Sequence, residues 1–260
     1  MNYLKEDELK QLLDEAVDTY NRRGFIENDP IQIPHRFSKK EDIEIAAFFA
    51  ASLAWGNRKS IIQNASKLML WMDEAPHDFI LHHSSKDLNP FKKFVHRTFN
   101  GFDCVFFISA LKHIYTKYGG LEAAFTPQDG NMDLQFKDRL HQFREQFLSV
   151  KHLQRSEKHL SDPLKNSSSK RLCMYLRWMV RQDKRKVDFG IWKSFKPSEL
   201  YLPLDVHTGN VGRHLGMLNR NQNDWKAVEE ITQQLRRFDP KDPVKYDFAL
   251  FGLGVSGILK

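Results

Sequence analysis

Two segments of this 260-residue chain combine residue types that could make and break covalent bonds. The first is Ser167-Ser168-Ser169 followed by Lys170 and Arg171. A serine at 168 or 169 can cap a helix that begins at Lys170, and the free N–H groups at such a helix start suit a phosphate. A lysine in that first turn meets the positive end of the helix dipole and the neighbouring Arg171. Both disfavour an ammonium, so a partly desolvated amine there becomes a usable nucleophile. Arg177 and Arg181 follow at seven and eleven residues, on the helical face of Lys170. The second segment is Pro203-Leu204-Asp205-Val206-His207. Asp205 precedes the helical pattern Val206, Val211, Leu215 and can accept its first N–H groups. A carboxylate held so, beside an amine, can orient water or stabilise positive charge developing on a sugar. Each segment also has a plainer use, as a basic surface helix and as a helix cap.

Charge placement bears on the first segment. The chain carries 40 Lys and Arg against 33 Asp and Glu, a net charge of +7. The window from Lys165 to Lys186 holds eight basic residues and one acidic residue, so it accounts for the whole excess. Positive charge gathered in this way suits a polyanion such as nucleic acid, and equally a solvated helix face. No apolar run approaches the roughly 20 residues of a membrane span, so no membrane partner is expected. The first residues are charged, without a signal-peptide core. Cys104 and Cys173 are too few for a thiolate cluster, and the histidines at 77, 82, 83 and 96 follow no tight zinc spacing. The expectation is a reduced cytoplasmic, nucleoid-associated monomer with no metal and no cofactor.

The elements that must position these residues are helical. Apolar residues recur at three- and four-residue steps from Leu4 to Tyr20, with Gly24 beyond. Ser38 with Glu41 has the form of a capping box ahead of a helix from Asp42 to Trp55, and Asn57-Arg58-Lys59 opens another to Met72. Further helices are expected over 102–118, 121–125, 132–150 (after the loop Asp129-Gly130-Asn131), 170–182, 206–215, 225–238 and 246–255. No strand pattern competes. The class is all-α, as one unit with a cleft or as two subdomains, 1–55 plus 216–260 and 56–215.

Taken together, Lys170 early in one helix and Asp205 at the start of a later one resemble the helix-hairpin-helix, endonuclease III-like DNA glycosylases. The string Leu202-Pro203-Leu204-Asp205-Val206-His207, continuing to Gly216, is similar to their aspartate segment, and Tyr246 to Gly254 to their closing helix. The hairpin is modified, since Pro163 to Ser169 replaces its Gly-hydrophobic-Gly turn. With 35 residues from Lys170 to Asp205, the layout is closer to the archaeal 8-oxoguanine glycosylases. The strings at 170–181, 203–207 and 239–243 also resemble an uncharacterised bacterial family of about this length.

The resemblance implies base-excision repair on double-stranded DNA, as a glycosylase with lyase activity. Lys170 would attack the sugar of a flipped-out damaged base, an oxidised purine in relatives of this layout, and Asp205 would assist. DNA contacts would fall to Asn57, Arg58, Ser168, Ser169, Arg171, Arg177, Arg181 and His207. Trp55, Trp178 or Trp192 could stack on the extruded base. The alternative is a non-catalytic nucleic-acid-binding protein of the same fold.

Overall fold

The computed structural model describes residues 5–127 and 134–257. It is all-α, with one two-stranded ribbon among the described residues. The chain divides into two compact units. One joins the residues up to Glu27 with those from Lys165 onward, and the other runs from Asn28 to Leu164. From the sequence, divisions are expected at 55/56 and 215/216, whereas these units divide at 27/28 and 164/165. Helices expected to lie apart pack within the first unit, while the Ala- and Phe-rich helix belongs to the second.

In the first unit, α1 (Glu6–Tyr20) buries Leu9, Leu13, Ala16 and Val17. Its partner is the apolar C-terminal helix, buried over most of its length. Gly252 makes that approach possible: a Cβ there would lie 2.2 Å from the Tyr20 ring. The expected helix end at Gly24 falls later than the observed one, and Gly24 lies in a 3-10 segment.

In the second unit, α2 (Lys40–Ser52) is buried without a break from Ile43 to Ser52. Ser38 does not cap it. The cap position is Lys39, with no side-chain cap bond, and Trp55 lies beyond the helix end. Then come α3 (Arg58–Trp71), α4 (Pro76–His82), α5 (Gly101–Tyr118), α6 (Leu121–Phe125) and α7 (Phe136–Leu148). Phenylalanines knit this core. Phe48 meets Phe107, Phe143 and Phe147, and Phe125 stacks on Phe143 at 3.8 Å. The expected loop at 129–131 and the first residues of the helix expected at 132 lie outside the described residues.

A ribbon of β1 (Val95–His96) and β2 (Phe99–Asn100) leads into α5. Two-residue strands are too short to leave a periodic signal, so the sequence pattern misses them. Asn100 caps α5 by accepting from the Phe102 N–H at 3.1 Å, and Asp103 accepts from the Asn100 N–H at 2.9 Å. Asp103 is fully buried. It also accepts from the Ser156 hydroxyl at 2.6 Å and from Arg155 at 2.8 Å. Burial works to raise its pKa, but these bonds outweigh burial and hold the carboxyl below its ordinary value.

The first unit resumes with α8 (Lys170–Val180), α9 (Val206–His214), α10 (Trp225–Phe238) and α11 (Tyr246–Ser256). α8 ends two residues short of Gln182 because the backbone turns extended at Arg181.

Candidate active site

The loop before Lys170 is fixed by the start of α10. Asn166 and Ser169 both have left-handed backbones, with φ of 61° and 46°. The Asn166 amide donates to Asp224 at 2.9 Å, the Trp225 N–H donates to the Asn166 carbonyl at 3.2 Å, and Ser167 bridges Asp224. Arg220 in turn grips Asp224 and holds its carboxyl well below the usual range. Ser169 occupies the cap position of α8, yet its side chain makes no cap hydrogen bond. The expected serine cap is therefore corrected. In the left-handed conformation the loop is held by pairing with residues 224 and 225 instead.

Asp205 does cap its helix. Its Oδ1 accepts from the Thr208 N–H at 3.0 Å and from the Thr208 hydroxyl at 3.1 Å, while its own N–H donates to that hydroxyl at 2.8 Å. One carboxylate oxygen is thus committed to the helix. The other, Oδ2, lies 3.9 Å from Lys170 Nζ. The two side chains retain 26% and 23% of their exposure, so the pair is partly desolvated yet reachable. Asp205 and Lys170 meet although 35 residues separate them.

Arg177 and Arg181 share the Lys170 face as the spacing requires, but that face turns inward. Arg177 pairs with Asp188 at 3.3 Å and, more closely, with Asp247 in the first turn of α11. Arg181 pairs with Asp183 at 2.8 Å, Asp242 at 2.9 Å and Asp188 at 3.0 Å. Both guanidiniums also lie over the Phe248 ring. Both arginines are buried. Their expected role as phosphate contacts is corrected, because each already spends its charge on carboxylates. Arg185 is used internally as well, donating to the carbonyls of Val17, Asp18 and Asn21 at the end of α1. Of the basic window, Lys165, Lys184 and Lys186 remain exposed.

Asp247 was missed in the sequence, although a charged residue inside the run Tyr246-Asp247-Phe248-Ala249-Leu250 is a visible signal. Burial pushes its carboxyl up to about 6. Arg177 opposes that shift, Asp205 adds to it, Lys170 opposes it, and Asp188 adds to it. The charge on Asp247 is thereby tied to both members of the Lys170–Asp205 pair. Cys173, on α8, is fully buried and desolvation pushes its thiol far up, as for a structural cysteine.

The other expected contacts are dispersed. Arg171 is half-buried, and desolvation brings its guanidinium down to about 10. Ser168 is half-buried and adjoins the α8 start. His207 is exposed, with its ring 6.2 Å from that of Phe251. Asn57 and Arg58 belong to the second unit. There Asn57 caps α3 by accepting from the Ser60 N–H at 3.1 Å, which commits its amide oxygen. Trp178 and Trp192 are core residues, which corrects their suggested role as stacking platforms.

Residues 29–256 match the model of a family described as "Protein of unknown function (DUF2400)". The chain belongs to this family. No curated protein and no solved structure matches the chain. The family match begins beyond α1 and spans Lys170, Asp205 and Asp247 alike, so the whole candidate site lies within it. No helix among the described residues is long and apolar enough to cross a membrane.

Proposed function

We propose that this chain is a DNA glycosylase with an associated lyase activity, acting on a damaged base flipped out of a duplex. The observation that carries the reading is the Lys170–Asp205 pair: an amine 3.9 Å from a carboxylate oxygen whose partner oxygen is pinned by Thr208. In the reaction, Asp205 takes a proton from the Lys170 ammonium. The free amine attacks the sugar C1′, and the C1′–N bond breaks as the base leaves with its electron pair and takes up a proton. The attached nitrogen gives up its extra proton to the departing base. Its lone pair then pushes onto C1′, and the C1′–O4′ bond breaks as the ring oxygen takes the proton held by Asp205, leaving a protonated imine between Lys170 and C1′. Asp205 also offsets positive charge on the sugar while the base departs. Phosphate contacts fall to the exposed Lys165 ahead of the α8 start and to the half-buried Arg171.

The alternative, a non-catalytic nucleic-acid-binding protein of the same fold, would have to bind without Arg177 and Arg181, which are paired with carboxylates. Borohydride reduction of the imine is the test. Wild type should give a covalent adduct with a duplex containing an oxidised base or an abasic site. Absence of any adduct across a lesion panel overturns the lyase step.

A further inference from the structure

We propose that the β1–β2 ribbon and the first turn of α5 form a second nucleic-acid contact, with Phe102 stacking on a base or sugar while Lys92, Lys93 and Arg97 neutralise phosphates. Its partner class rests on the DNA reading above; the surface itself belongs wholly to the second unit.

Two large apolar side chains stand in solvent here: Phe102 is 71% exposed and Val95 64%. Alternation along β1 turns His96 inward and Val95 outward, and the 3.6-residue period of α5 buries Asp103 and Phe107 while leaving Phe102 on the outer side with the half-buried Val105 and Ser109. The backbone of Lys92 lies directly against Gly101, which sets Phe102 beside the Lys92–Lys93 turn. Lys92, Lys93 and Arg97 are exposed and meet no carboxylate among the described residues. The acid nearest Arg97 in sequence, Asp103, is buried and paired with Arg155, and the acid nearest the two lysines, Asp87, accepts from the N–H and hydroxyl of Ser84. An exposed aromatic next to a turn with two exposed lysines, at the positive end of an 18-residue helix, is complementary to a polyanion that carries flat rings.

The surface is also held rigid. Arg97, at the ribbon turn, has a left-handed backbone (φ 56°), costly for an arginine. Its guanidinium lies 5.0 Å above the Trp55 ring and crosses Gly56, where φ is +100° and a Cβ would sit 2.8 Å from the Arg97 side chain. Any other residue at 56 would displace Arg97. That contact places the ribbon turn beside Asn57, the residue singled out in the sequence for probing DNA.

Binding of a short undamaged duplex, followed by fluorescence anisotropy across a salt series, tests this surface without any chemistry. Phe102→Ala should weaken binding about tenfold at fixed salt and leave the salt slope unchanged. Replacing Lys92 and Lys93 together by Gln should flatten the log–log slope by about two. Unaltered circular dichroism confirms that both variants fold. The inference is overturned if both bind as wild type, if wild type does not bind the duplex, or if sedimentation shows a wild-type dimer that Phe102→Ala dissociates. Borohydride trapping by Lys170 keeps the two proposals apart. An adduct with wild-type binding in the ribbon variants removes this surface and keeps the enzyme. Ribbon-dependent binding without any adduct does the reverse.

Discussion

The two ends of α8 carry the same kind of residue on the same face and use it in opposite ways. At the start, Lys170 meets a single carboxylate at 3.9 Å and stays a quarter exposed. Two turns on, Arg177 and Arg181 are buried against Asp183, Asp188, Asp242 and Asp247, most of them at hydrogen-bond distance. A guanidinium with five fixed donors can satisfy several buried carboxylates at once, and it keeps its proton. Burial works against the charge on Arg181, but its carboxylates more than offset that and raise its pKa above the ordinary value. A lysine with one distant partner is held far less firmly, which suits the nucleophile proposed above. Position along one helix thus separates a group available for reaction from groups that hold the fold.

The sharpest way to break that contrast is to exchange what each end is asked to do. Lys170→Gln should abolish the borohydride adduct entirely while shifting urea stability by no more than about 0.5 kcal/mol, since it removes one long, partly solvated ion pair. If Lys165→Gln removes the adduct instead, the nucleophile is misassigned and the reaction class survives. At the other end, Asp188→Ala should leave Arg177 and Arg181 without their shared, fully buried carboxylate. The expected cost is about 3–5 kcal/mol in urea unfolding. Arg181→Ala, where the protein still folds, should leave the salt slope of DNA binding unchanged. A flattened slope would return Arg181 to the phosphate face.

Much of this contrast was legible in the sequence, but not its sense. Helical periodicity located α5, α6, α10 and α11 within a residue or two, because long amphipathic or apolar runs constrain the pattern strongly. Asp205 was correctly expected to cap α9, since an acidic residue before a helical pattern has few other local uses. The serine run misled, because a cap depends on backbone conformation, and Ser169 is held left-handed by pairing of its loop with residues 224 and 225. The arginines misled for a deeper reason. Spacing fixes which residues share a face, but the direction of that face depends on acids outside the helix, at 183 and 188 in the following loop and at 242 and 247 far along the chain. Nothing within α8 announces them. The pairing of Lys170 with Asp205 was expected only through the family resemblance.

Asp247 lies between the two ends and responds to pH. Its carboxyl is raised from the ordinary 3.8 to about 6, first by burial, against the pull of Arg177 and Lys170 and with the push of Asp205 and Asp188. The native state therefore binds a proton that the unfolded chain has released between about pH 4 and pH 6. Stability contributed at this site is full below that window and is lost as pH rises through it. Asp247→Asn cannot ionise, so its stability relative to wild type should climb across the same window and level off above pH 6. The total change should be on the order of 3 kcal/mol. Urea melts of both proteins at a series of pH values measure it, and a difference that stays flat from pH 4 to 7 would show that Asp247 is ionised throughout.

The smallest expected effect tests whether the cap at Asp205 also serves the reactive pair. Thr208 is fully buried, and its hydroxyl both accepts from the Asp205 N–H and donates to Oδ1. Thr208→Val keeps the shape, removes both bonds and leaves only the backbone N–H of residue 208 on Oδ1. The expected stability loss is about 1 kcal/mol, with an unchanged urea m-value. A purely structural cap would show that loss and nothing more. If the cap also aims Oδ2 at Lys170, the rate of adduct formation should fall several-fold while duplex affinity holds, and the fall should persist at temperatures far below the melting transition. An undiminished rate would mean that the carboxylate finds Lys170 without help from the cap, and that α9 supplies the residue but not its orientation.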